Sequence, residues 1–300
     1  MQFMFHKFAP QAAEAQPHKP GLDSGRTTRL IVIGHARSGT TILLAALNTS
    51  PDVYLLGEPS SYRDQGEDNF RARFNGVHLG YGNQICKATY APALPGLPED
   101  ADLPAYFETL AEHQRIYGEK IALATPRFGA DTDKLRNWIE MQRPSCLFVF
   151  RHPRSTMASM EKLFPHISLE ENIFSYASTV CLYLDLARVL PNVRHVIHER
   201  ISAKTFKHLG QWLSTDLSGA AACYLWRRAA SRPRSQRPEM DALIAAYTFL
   251  SKSNSDLGVI SPALAQVGGY LSDEKQSKLG AIYADLYRLM NQLRRYTVAT

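Results

Sequence analysis

The residues of this chain best suited to chemistry lie in the run Gly34-His35-Ala36-Arg37-Ser38-Gly39-Thr40-Thr41. Two glycines, a cation and three hydroxyl side chains have the spacing of a loop that wraps an anion, because glycine lets backbone N–H groups turn toward one point. A second run, Phe150-Arg151-His152-Pro153-Arg154-Ser155-Thr156-Met157-Ala158-Ser159, sets a serine eight positions after an arginine. Proton transfer calls for a base, and Glu58 in Gly57-Glu58-Pro59 is the first candidate. His78 is the second, since imidazole titrates near neutrality. Lys87 and Lys120 could touch an anionic group, and an ordinary surface or strand-edge role fits them equally well.

The flanking sequence is of the kind that positions such loops. Leu30-Ile31-Val32-Ile33 is a short apolar run rich in β-branched residues and reads as a buried strand, followed through the glycines by Ile42, Leu43, Ala46 and Leu47 at helical spacing. A phosphate loop sits in this strand, loop and helix setting, where the helix dipole and its first N–H groups face the anion. Val53-Tyr54-Leu55-Leu56 predicts a second strand, Lys120-Ile121-Ala122-Leu123 a third after Gly118, and Cys146 to Phe150 a fourth. Helices are expected from Thr132 to Met141, from Pro153 onward, from about Leu169 to Leu190 and from Asp273 to Leu293, with a strand at His195-Val196-Ile197. The alternation predicts an α/β fold of phosphate-loop type: a central parallel sheet flanked by helices on both faces, with a mostly helical C-terminal part. Residues 1–28 lack periodicity and are expected to form a flexible lead-in to one domain over residues 29–300. Ser60 to Tyr117 reads as a long irregular insert.

The loop also excludes something. A nucleotide kinase loop places lysine directly after the second glycine, to reach the β- and γ-phosphates, and then a hydroxyl for Mg²⁺. Thr40 stands at that lysine position, and the cation precedes the glycine at Arg37. Such a loop suits one phosphate carrying a transferable group, with no metal.

Basic-Ser-Gly-Thr-Thr after a first buried strand resembles the loop of the sulfotransferases that use 3′-phosphoadenosine 5′-phosphosulfate (PAPS). The stretch from Ile33 through Asn48, then Ser50-Pro51-Asp52-Val53 and Gly57-Glu58-Pro59, looks most like the carbohydrate and bacterial branches. The resemblance covers roughly residues 29–215. It implies that Arg37, Ser38, Gly39, Thr40 and Thr41 bind the 5′-phosphosulfate and that Arg151 and Ser159 bind the 3′-phosphate. It further implies Glu58 and Arg37 as the catalytic pair, with Lys120, in a Gly-acid-Lys element, near the sulfonate or acceptor. The implied product is 3′,5′-ADP (PAP), and the implied acceptor is a hydroxyl or amine compound, a carbohydrate or lipid-linked sugar being preferred. The chain departs from the cytosolic enzymes in having no Arg-Lys-Gly segment to close over PAPS and no dimerisation signature. The arginines at 227, 228, 232, 234 and 237 are a candidate substitute lid, against the plainer reading of a solvated charge run. The rival readings are a nucleotide kinase or NTPase and a non-catalytic nucleotide-binding protein.

Composition agrees with an anionic small-molecule partner. In 300 residues, 34 Lys plus Arg against 28 Asp plus Glu leave a formal charge of +6. The basic residues are scattered and no helix-turn-helix, zinc-finger or RNA-binding signature occurs, so nucleic acid is not expected. Cys86, Cys146, Cys181 and Cys223 lie too far apart for a CxxC pair and read as reduced and mostly buried. No apolar run of the length of a secretory signal or a membrane span is present, and the expected location is the cytoplasm.

Overall fold

The structure is a computed structural model that describes residues 27–57, 103–123, 132–227, 240–253 and 272–298. Five strands, β1 (Thr28–His35), β2 (Val53–Gly57), β3 (Ile116–Leu123), β4 (Ser145–Phe150) and β5 (Val193–Ile197), form one sheet. Its order is β2-β3-β1-β4-β5 and every pairing is parallel. Around it lie α1 (Thr40–Leu47), α2 (Leu103–His113), α3 (Thr132–Gln142), α4 (Pro153–Leu163) and α5 (Leu169–Val189), then α6 (Ala203–Leu213), α7 (Ser218–Arg227), α8 (Asp241–Ser253) and α9 (Asp273–Val298). A 3₁₀ turn, His198–Arg200, follows β5 directly.

The strands read as continuous apolar runs because both faces of the sheet are covered. Along β1 the side chains alternate: Ile31 and Ile33 enter one apolar cluster, with residues of α3, α5, α8 and α9, while Leu30 and Val32 enter the other, with residues of α1, α6 and α7. All four are fully buried. Burial of such a side chain contributes roughly 1.5–3 kcal/mol, so β1 alone anchors both layers. The long helix α5 begins at a capping box: the Glu171 N–H donates to Ser168 Oγ at 3.1 Å and the Ser168 N–H donates to Glu171 Oε2 at 2.9 Å. On α9 the expected stripe faces the core, with Ile282 and Leu286 buried and Leu279, Tyr283 and Met290 packed beside them.

β1 starts at Thr28, beside the expected start of the fold near Arg29, and residues 1–26 lie outside the described residues. Two expectations need correction. β3 starts at Ile116 and runs straight through Gly118, which reads locally as a strand breaker. Here the glycine serves close approach: its φ is +151°, and a Cβ on it would stand 1.9 Å from the Leu30 carbonyl oxygen of the neighbouring strand. The region read as irregular up to Tyr117 contains α2, whose buried Phe107 and Leu110 pack inward, and residues 58–102 lie outside the described residues.

Candidate functional site

Parallel strands with helices departing to opposite faces leave a crevice at their carboxyl ends, and here it lies between the centre strand β1 and its neighbour β4. After β1 the chain turns through residues 36–39 into α1 on one face; after β4 it enters α4, whose Met157 belongs to the cluster on the other. The register pairs Gly34 with Val149, which brings the residues after His35 and after Phe150 to the same level. The two anion motifs of the sequence therefore face each other across the crevice.

The first motif is bent by two left-handed residues, Arg37 at φ 70° and Gly39 at φ 100°. A left-handed arginine is uncommon and such strain gathers at functional loops. Gly39 has a second reason to lack a side chain, since a Cβ there would lie 2.4 Å from His198 Nδ1. Ser38 is fully buried, and its Oγ has no hydrogen-bond partner among the described residues. Thr40 opens α1, whose first N–H groups have no intrahelical acceptor and so point out of the helix end toward the crevice.

The second motif meets the first directly. Arg37 Nε donates to Ser159 Oγ at 3.2 Å, and the Arg151 guanidinium donates to the Arg37 carbonyl at 3.1 Å. Burial, and after it the neighbouring Arg151 charge, push the Arg37 pKa down. Like charges held this close are unfavourable to one another, and an anion between them reverses the sign of that interaction. Lys120, for which the sequence left an anion contact and a strand-edge role open, sits inside β3 at 3% exposure, and its Nζ donates to Thr41 Oγ1 at 3.1 Å. A third cation thus lies under the first turn of α1. His35 adds none: its Nδ1–H donates to the Ala36 carbonyl at 2.7 Å, and burial lowers its pKa to about 4. Arg154 parts from the group, lining a cavity of about 290 Å³ with Met157, Ala158 and Glu161.

Of the residues singled out in the sequence, Arg37, Ser38, Gly39, Thr40, Thr41, Lys120, Arg151 and Ser159 are brought together. Glu58, His78 and Lys87 lie outside the described residues, as do the arginines from 228 to 237. Gly57, which precedes Glu58, ends β2 in register with Lys120. Several site neighbours escape sequence reading. His198 packs under Gly39 and hydrogen-bonds Tyr224 OH through Nδ1 at 2.6 Å. Glu199 accepts from the His152 N–H and from Tyr247 OH, both at 3.0 Å, and Tyr176 OH donates to the Arg151 carbonyl at 2.7 Å. A charged residue two positions after a buried strand was the one available signal, for Glu199. Tyr176 and Tyr247 lie inside helices and carry none.

No family model matches the chain, and no curated protein matches it. Among solved structures it is similar to the sulfotransferase domain of the Synechococcus PCC 7002 olefin synthase, at 16% identity and a TM-score of 0.48 over 79% of this chain and 98% of that one. It is also similar to mouse sulfotransferase SULT7A1 complexed with PAP, at 12% identity and a TM-score of 0.40 over 89% of this chain and 86% of the other. Likeness of this degree leaves function to the chain's own side chains. Its fold and site define a parallel α/β protein with two cationic anion motifs across the crevice beside its centre strand.

Proposed function

We propose that the chain is a PAPS-dependent sulfotransferase acting on a hydroxyl or amine acceptor, with one catalytic domain over residues 29–300. The observation that carries this reading is the meeting of Arg37 with Arg151 and Ser159, 114 and 122 residues along the chain, at hydrogen-bond distance. A single phosphate would need one such loop. Two cationic motifs suit a ligand with two separate anionic groups, which is what a 3′-phosphate adds to a nucleotide.

In this assignment Arg37 to Thr41, with Lys120 beneath them, hold the 5′-phosphosulfate, and Arg151 with Ser159 holds the 3′-phosphate. PAPS supplies the sulfuryl group that passes to the acceptor, leaving 3′,5′-ADP. Arg37, Lys120 and the loop N–H groups supply positive charge where negative charge gathers on the departing phosphate. Glu58 takes the acceptor's proton; support for it is its place directly after β2, whose last residue Gly57 is level with Lys120. His78 is the alternative base, and Lys87 a further acceptor contact. A carbohydrate or lipid-linked sugar acceptor rests on the sequence resemblance. The free, buried thiols of Cys146 and Cys181 suit a reducing, cytoplasmic setting. Among the described residues, no helix is long and apolar enough to cross a membrane.

The test is calorimetric titration with 3′,5′-ADP, ADP and ATP, with and without Mg²⁺. The wild type should bind 3′,5′-ADP best and without metal, and Arg151→Ala should erase that preference. Preference for ATP with Mg²⁺ would replace this reading with a kinase or NTPase. In an acceptor assay Glu58→Gln should retain 3′,5′-ADP binding and lose kcat.

A further inference from the structure

The Arg151–His152 peptide group is the joint between β4 and α4. Its N–H belongs to the N-cap residue of α4, at φ −49° and ψ 126°, one of the helix-end donors that have no intrahelical acceptor. Two side chains from elsewhere in the fold take its two ends. Tyr176 OH, from α5, donates to the Arg151 carbonyl at 2.7 Å, and Glu199 Oε1, from the turn after β5, accepts the His152 N–H at 3.0 Å. Tyr176 is 1% exposed and cannot swing away. The other Glu199 oxygen accepts from Tyr247 OH of α8, and the Tyr247 ring lies against the His152 ring with centroids 5.1 Å apart. Arg200, the next residue, donates to the Ser251 carbonyl and ties the same turn to α8. His198, the residue before, fills the space beside Gly39. The three-residue turn after β5 therefore touches both anion motifs.

We propose that Tyr176 and Glu199 are positioning residues that set the distance between the two anion motifs by pinning both ends of the Arg151–His152 peptide group. Rotation of that group turns the Arg151 side chain away from the Arg37 carbonyl while leaving the first loop in place. The pair thereby determines selectivity for a nucleotide with a 3′-phosphate over one without. This rests on the sulfotransferase reading, through the assignment of Arg151 to that phosphate.

The experiment measures the affinity ratio of 3′,5′-ADP to 5′-ADP by calorimetry, with thermal melting alongside. Glu199→Ala should lower the ratio about tenfold, because small misplacements of a binding group carry penalties of that order or more, while 5′-ADP affinity changes little. Glu199→Gln, whose amide oxygen still accepts from the His152 N–H, should restore most of the ratio. A merely structural role would lower both affinities together with the melting temperature, and that result overturns the proposal; so does a Glu199→Gln ratio as low as that of Glu199→Ala. If Glu199→Ala does not fold, Tyr176→Phe decides, with the same fall in ratio expected and an unchanged ratio fatal. A wild type without any 3′-phosphate preference would overturn the sulfotransferase reading itself, whereas a wild-type preference that survives in Glu199→Ala removes the positioning role alone.

Discussion

Residue chemistry at the crevice rests on three cations from different segments. Arg37 donates to the Ser159 hydroxyl, Arg151 to the Arg37 carbonyl and Lys120 to the Thr41 hydroxyl, which gathers the three around one loop. Lys120 is the informative case. In the sequence it balanced between a functional and an ordinary strand lysine, and burial at 3% exposure against Thr41 distinguishes the two geometries, because an ordinary strand-edge lysine keeps its ammonium in water. Lys120→Met, which preserves length and apolar stem, should weaken 3′,5′-ADP about tenfold with little loss of melting temperature, since a charge-assisted contact is removed from a site that still packs. Titration calorimetry with a parallel melt checks it, and unchanged affinity would remove Lys120 from the site. Arg37 and Arg151 were legible because each follows a buried apolar run that any reading must make a strand. Glu199 follows one too, yet its partners His152 and Tyr247 lie 47 and 48 residues away, and no local pattern announces them.

Elements explain why the loop holds its shape. The turn from β1 to α1 combines two left-handed residues with a neighbour, His198, packed where a side chain on Gly39 would go. Gly39→Ala would add both backbone strain and a clash with a buried ring whose Nδ1 is hydrogen-bonded to Tyr224. The expected cost is about 1–3 kcal/mol in urea denaturation, together with loss of 3′,5′-ADP binding, and a fully stable variant would show that the loop tolerates rearrangement. Strands were easier to read than their limits. The apolar runs of β1, β2, β4 and β5 were visible because both sheet faces are covered, whereas the start of β3 was hidden by Gly118, whose role depends on the approach of Leu30 from another strand. Helix α2 was hidden for a like reason: its amphipathic signal is confined to eleven residues in a stretch otherwise rich in turn formers.

At the scale of the whole molecule, the two apolar clusters on either face of the sheet carry buried groups that make stability depend on pH. His35 and His195 are each about 1% exposed, and burial lowers both pKa values to about 4. His195 is held neutral between two elements, its Nε2–H donating to the Leu250 carbonyl at 3.2 Å while Nδ1 accepts from Tyr183 OH at 2.7 Å. An unfolded histidine titrates near 6.5, so below that pH the unfolded chain binds protons that the folded chain refuses. Stability should be level above pH 6.5, fall on the order of 1 kcal/mol per pH unit for each histidine between about 6.5 and 4, and level off below with respect to these two groups. Urea titrations at stepped pH check this, and His195→Gln should flatten part of the slope.

Taken alone, the sequence determined the glycine-bounded loop after β1, the second arginine-bearing motif after β4, their order and the parallel α/β architecture, because glycine placement, charge type and apolar period are properties of short stretches of chain. Only the tertiary structure decided that Arg37 and Ser159 would touch, that Lys120 would turn inward to Thr41, and that Tyr176 and Glu199 would grip one peptide group from two sides. These depend on the register of β1 against β4 and on helices closing over a shared core, and such long-range pairings are set by the packing of the whole chain.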